Sequence, residues 1–172
     1  MDPRWLDDAE QRAWRSYLAA TRLLSAAVDR DLQVEAQMPH AYYEILVRLS
    51  EAPERTLRMS ELAEAAESSR SRLSHAVARL EEAGWVRRRS CPSDRRGALA
   101  ALTPAGFAAL EAAAPGHVAT VRRYLFDALT PEQMVQLGAI CDAVVAGFTP
   151  NEISTDHYRP LPPTGPAMTA PR

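Results

Sequence analysis

The chain has 172 residues, enough for one domain with an extension and a core of useful size. Its net charge of −2 argues at first against nucleic acid, but the charge is segregated: residues 55–96 carry ten arginines against six acids, an excess of +4, which leaves −6 on the remainder. Two cysteines, Cys91 and Cys141, are too few for a disulfide or metal framework, and no signal peptide, membrane span or lipidation motif is visible, so the expected location is cytoplasmic.

In chain order, residues from Asp7 to Gln37 place Trp14, Tyr17, Leu18, Leu23, Leu24, Val28 and Leu32 at helical spacing, which predicts one long helix. Pro39 suits the first turn of a second helix over Ala41–Ser50, with Tyr43, Leu46 and Leu49 inward. A short strand at Thr56-Leu57-Arg58 leads to a third helix with Ser60 as its N-cap. The fourth helix starts at Ser68-Ser69 and buries Leu73, Val77 and Leu80. Gly84 closes it as the residue just past its C-cap. The run Gly84 to Arg89 and the run Ala98 to Leu102 read as a hairpin, with Asp94-Arg95-Arg96-Gly97 as its turn. Thr103-Pro104 opens a fifth helix that Pro115-Gly116 is expected to bend or break before it resumes to Leu129. Thr130-Pro131-Glu132-Gln133 starts a sixth, ending near Phe148, and the proline-rich stretch 149–172 reads as a flexible tail.

Two short helices followed by an arginine-tipped hairpin are the parts of a winged helix-turn-helix, with one helix for the major groove and the hairpin tip for the minor groove. Projection of the fourth helix puts Ser71, His75 and Ala78 opposite the buried face, flanked by Arg72 and Ser74. Arg70, Arg72 and His75 are candidates for base or phosphate contact, a solvated helix face being the plain alternative. Arg87, Arg88 and Arg89 alternate along a strand and cannot all face DNA; Arg88 is the one assigned to it, with Glu81 and Glu82 as partners for the others.

The segments Met59-Ser60-Glu61-Leu62-Ala63, Ser69 to Val86, and Asp94-Arg95-Arg96-Gly97 followed by Leu102-Thr103-Pro104-Ala105-Gly106 resemble the helix-turn-helix, recognition helix and wing of MarR-family transcriptional regulators. The resemblance runs from about Trp14 to Phe148. It implies a mainly α fold, a winged helix-turn-helix lobe over 39–102 with a small β-hairpin wing, and N- and C-terminal dimerisation helices over 7–37 and 103–148. It also implies a homodimer on a pseudo-palindromic double-stranded DNA operator, acting as a repressor. Ser69, Arg70, Ser71, Arg72, Ser74, His75 and Arg88 would lie at DNA, with Asp94 bracing the wing and Arg95 and Arg96 at the minor groove. Many members of the family release DNA when a small, often aromatic, anionic effector binds between the dimer helices and the DNA-binding lobe.

Trp14, Tyr17, His40 and Tyr43 gather aromatic rings and one titratable imidazole on the first two helices. They suit a pocket for an aromatic carboxylate or phenol, and equally suit ordinary core and dimer packing. Cys91 follows three arginines, which suits a thiol-responsive DNA-binding switch, whereas Cys141 is expected to be buried. The overall acidity and proline-rich tail leave open a winged-helix module that binds protein. His40, His75, His117 and His157 show no metal-ligand spacing, and no phosphate loop or nucleophile motif is present, so no enzyme, metal or cofactor is expected.

Overall fold

A computed structural model describes residues 3–66, 68–91 and 94–148, with backbone alone at 94–96. The first helix, α1 (Asp8–Ala36), is opened by Asp7, whose carboxylate accepts from the Ala9 and Glu10 N–H groups at 2.8 and 2.9 Å. The Asp7 N–H in turn donates to the Glu10 carboxylate at 2.9 Å, completing a capping box. The Asp-x-x-Glu spacing is the trace of this cap in the sequence. Gln37, at a left-handed φ of 52°, ends α1, and α2 (His40–Glu51) follows Pro39.

The third helix, α3 (Met59–Ala65), starts earlier than expected. Ser60 is not its cap: Glu61 reaches back to accept the Arg58 N–H at 3.0 Å, so the helix begins at Met59. Helix α4 (Arg70–Glu82) is capped by Ser69, whose hydroxyl accepts from the Arg72 N–H at 3.3 Å. At its other end Gly84 takes φ 76°, and the Gly84 and Trp85 N–H groups donate to the Glu81 and Leu80 carbonyls, both at 2.9 Å.

Strands β1 (Thr56–Arg58), β2 (Val86–Cys91) and β3 (Asp94–Leu102) form an antiparallel sheet in the order β1-β3-β2. The hairpin is longer than expected. Cys91 pairs with Asp94, so Asp94 to Gly97 belong to β3 and are not the turn, and the register shift after Ser90↔Ala98 places Arg95, Arg96 and Gly97 in a bulge. Periodicity alone does not find this end, because a bulge interrupts the alternation that marks a strand.

Helix α5 (Pro104–Tyr124) also departs from expectation, running unbroken through Pro115 and ending at Tyr124, before a 3₁₀ turn over Phe126–Ala128. An interior proline forfeits one backbone bond, but α5 is held along α1 on the far side of Pro115. There Thr120 donates to Asp31 at 3.0 Å, and Arg30, paired with Asp31 at 2.7 Å, reaches the Tyr124 hydroxyl at 3.3 Å. The Arg30 and Thr120 hydrogen bonds hold the Asp31 carboxyl below the usual carboxylate range against partial desolvation.

These elements form one unit around Leu46, Leu49, Leu62, Leu73, Val77 and Leu80, each 1 % exposed or less. Met38 and Ile45, absent from the sequence-derived core, are buried with them. Helix α6 (Pro131–Ala146) is a unit of its own, with Met134, Val135, Ile140 and Val144 exposed. Cys141 is exposed there, not buried as expected: helical spacing marks an apolar face without saying what covers it. Among the described residues no helix is long and apolar enough to cross a membrane.

Candidate nucleic-acid interface

Helix α4 buries Leu73, Val77 and Leu80 and leaves Arg70, Ser71, Arg72, Ser74 and His75 exposed on its outer side, as its register predicts. Ser69 precedes them as the cap. All six sequence-assigned positions of this segment are therefore exposed. Arg88 comes to the same surface from β2, where it lines a cleft with Arg70 and Ser74.

Arg88 is not a freely mobile side chain. Its backbone N–H donates to Glu81 Oε1 at 2.7 Å, and its Nε donates to Glu81 Oε2. Partial burial opposes ionisation of Glu81, but this pair of donors outweighs it and holds the carboxyl below its ordinary range. The fork ties β2 to the last turn of α4 and orients the guanidinium, a geometry that lysine does not reproduce. Arg79 similarly donates to Glu82 at 2.8 Å, while Arg87 and Arg89 are exposed. The side chains of Asp94, Arg95 and Arg96 lie outside the described residues. Cys91 is buried at the end of β2.

The start of α5 is built directly onto the end of α4. Thr103 Oγ1 donates to the Gly84 carbonyl at 2.7 Å and accepts from the Gly106 N–H at 3.0 Å, and the Thr103 N–H donates to the Trp85 carbonyl at 3.0 Å. One hydroxyl thus caps α5 and anchors it to the turn that closes α4. The Leu-Thr-x-x-Gly spacing is the trace of this joint in the sequence.

The four residues considered for a ligand pocket do not form one group within the chain. Trp14 and Tyr17 stack on each other at 6.1 Å and are 52 % and 56 % exposed. His40 and Tyr43 instead meet His117 of α5, at ring distances of 5.9 and 4.5 Å. The His40 N–H donates to Asp29 at 2.9 Å, and Asp29 lies about 22 Å along α1 from Trp14 at 1.5 Å per residue. No motif marked His117 in advance, because its place depends on how α5 packs on α2.

His117 Nδ1 is buried and has no hydrogen-bond partner among the described residues. Burial, and then the neighbouring His40, lower the pKa of His117, while Glu44 acts weakly the other way. Burial raises that of Tyr43. The unfolded chain therefore binds a proton at His117 more readily than the folded one, so stability present above the ordinary imidazole range is lost as the pH falls through and below it. Between about pH 7.5 and 5.5, spanning the ordinary imidazole pKa, the wild type should lose more urea resistance than His117→Phe. An equal loss in both would place the sensitivity elsewhere. Among the described residues, no group of three His, Cys, Asp or Glu side chains could hold a metal ion.

A sequence profile of the MarR family matches residues 36–97. The chain is 54 % identical to Sco3205 of Streptomyces coelicolor, a MarR family transcriptional regulator solved in complex with DNA, over 92 % of this chain and 99 % of that one, with a TM-score of 0.82. It is 45 % identical to AbsC, a MarR family transcriptional regulator of the same organism, over 84 % of this chain and 97 % of AbsC, with a TM-score of 0.77. A mutant MarR from E. coli complexed with operator DNA shares the fold at 21 % identity and a TM-score of 0.67, over 76 % of this chain and 91 % of that one. No curated protein matches the sequence.

Proposed function

The chain belongs to the MarR family of DNA-binding transcriptional regulators, and from that premise we propose that it is a homodimeric repressor whose affinity for a pseudo-palindromic operator falls when a small aromatic anion binds. The observation that carries this reading is the outer face of α4, where Arg70, Ser71, Arg72, Ser74 and His75 stand exposed on a helix fixed by its apolar face. Such a face, small, polar and cationic, suits insertion into the major groove. Ser69 presents the first turn of that helix, and Arg88 flanks it.

At the wing, Asp94 braces the hairpin while Arg95 and Arg96 reach the minor groove, where negative potential is concentrated and arginine enters at modest desolvation cost. The segments 7–37 and 103–148 pair with those of a second copy around the lobe 39–102. On this reading Trp14 and Tyr17 belong to the dimer face, and the effector contacts His40 and Tyr43 beside His117. The effector acts by favouring a dimer whose two recognition helices are mis-spaced for the half-sites. A cytoplasmic location follows from the DNA partner.

Purified protein should protect an inverted repeat upstream of its own gene, with affinity that falls steeply as salt is raised. A promoter fusion carrying that repeat should be more active when the protein is absent; lower activity would mean activation and not repression. Arg96→Ala should weaken operator binding by at least about tenfold, in line with loss of a groove-inserted arginine, while leaving the protein folded and dimeric. Unchanged affinity in that variant would remove Arg96 from the interface.

A further inference from the structure

The recognition helix α4 has a cleft along each flank. The wing-side cleft, about 410 Å³, includes Arg70, Ser74 and Arg88, and the α2-side cleft, about 570 Å³, includes Tyr42, Arg72 and Arg79 and reaches His75 and Ala78 on the crest between them. Helical projection agrees with this division, since Arg70 and Ser74 fall on one side of the Ser71–His75–Ala78 crest and Arg72 and Arg79 on the other. The two consecutive glutamates of the last turn also serve opposite flanks. Glu81 holds Arg88 on the wing side, and Glu82 holds Arg79 on the α2 side.

Carboxylates at the C-terminal end of a helix oppose its dipole and would repel DNA. Here each is matched to an arginine. A helix seated in the major groove, about 12 Å wide, has a sugar–phosphate backbone along each side and only its crest at the base edges. Tyr42 joins the α2-side cleft from a different helix, α2.

We propose that the two clefts are phosphate seats for the two DNA strands, with Tyr42 and Arg72 holding one backbone and Arg70 and Arg88 the other, so that base reading falls to the Ser71, His75 and Ala78 crest. The assignment rests on the DNA-binding reading of this face and adds Tyr42 to it. It also separates residues that set affinity from those that set sequence preference.

The test uses the full chain, a duplex it selects from a random-sequence pool, and a scrambled duplex of equal length. Tyr42→Phe and Arg72→Ala should weaken both duplexes by a similar factor, about three- to tenfold, and preserve the ranking of single-base variants of the selected site. Arg72→Ala should also make the log–log salt slope shallower by about two, one for each protomer of a dimer, whereas Tyr42→Phe, which removes no charge, should leave it unchanged. His75→Ala should reorder the single-base ranking. The two-seat assignment is overturned if Tyr42→Phe binds both duplexes like wild type, or if Arg72→Ala alters preference at one base while keeping its affinity for the scrambled duplex. Failure of the wild type to select any duplex would instead overturn the DNA-binding reading itself.

Discussion

The double substitution Trp14→Glu, Leu18→Glu is expected to give a folded monomer that no longer protects an operator. Trp14, Tyr17 and Leu18 continue the same stripe of α1 that carries Leu24, Val28 and Leu32. At the C-terminal end this stripe is covered, with Val28 and Leu32 buried in the core. Toward the N-terminus the three side chains are 52 %, 56 % and 44 % exposed. Losing the burial of one large apolar side chain costs about 1.5–3 kcal/mol, and a two-fold interface incurs that loss twice for each substitution. The operator would then meet one recognition helix in place of two linked ones, so binding should fall by at least about a hundredfold. Sedimentation gives the mass, circular dichroism the retained helix and footprinting the lost protection. A variant that stays dimeric with its affinity intact would move the dimer face off this stripe.

Helix α4 was legible because each of its signals is local. Ser69 as cap, the Leu73–Val77–Leu80 stripe and Gly84 as terminator lie within sixteen residues and specify the exposed face by geometry. The wing was legible in kind but not in extent, since a bulge at Arg95 to Gly97 has no signature in alternation. Arg88 shares a cleft with Arg70 and Ser74, but its bond to Glu81, expected from the sequence for its neighbours, depends on how β2 turns back over α4. The split of the aromatic residues on α1 and α2 into two groups was not legible, for a different reason. Helical periodicity reports which residues share a face, and Trp14 and His40 occupy distant parts of the chain's surface. Pro115 misled because helix propensity is a local preference, whereas the Thr120–Asp31–Arg30–Tyr124 bonds are tertiary.

Gly106→Ala should destabilise the protein far more than its place in a helix suggests. Replacing a helical glycine by alanine ordinarily stabilises by about 1 kcal/mol. Here a Cβ would sit 2.1 Å from the Trp85 carbonyl oxygen, 2.8 Å from its carbon and 2.9 Å from Leu102 Cδ1. The first two are backbone atoms, so α5 itself must move away from the end of α4, against the Thr103 bonds to Gly84 and Trp85. Overpacking of this kind costs about 1–3 kcal/mol and more where backbone must shift, which outweighs the propensity gain. The melting temperature should fall by roughly 4–10 °C. Gly84 provides the contrast, because a Cβ there meets nothing within 4 Å and only its φ of 76° demands glycine. Asparagine tolerates that left-handed conformation, so Gly84→Asn should be mild, while Gly106→Asn should be at least as damaging as Gly106→Ala. A melting temperature left unchanged by Gly106→Ala would mean that α5 can move off the Trp85 carbonyl without cost, and that the close approach is not what requires glycine at 106.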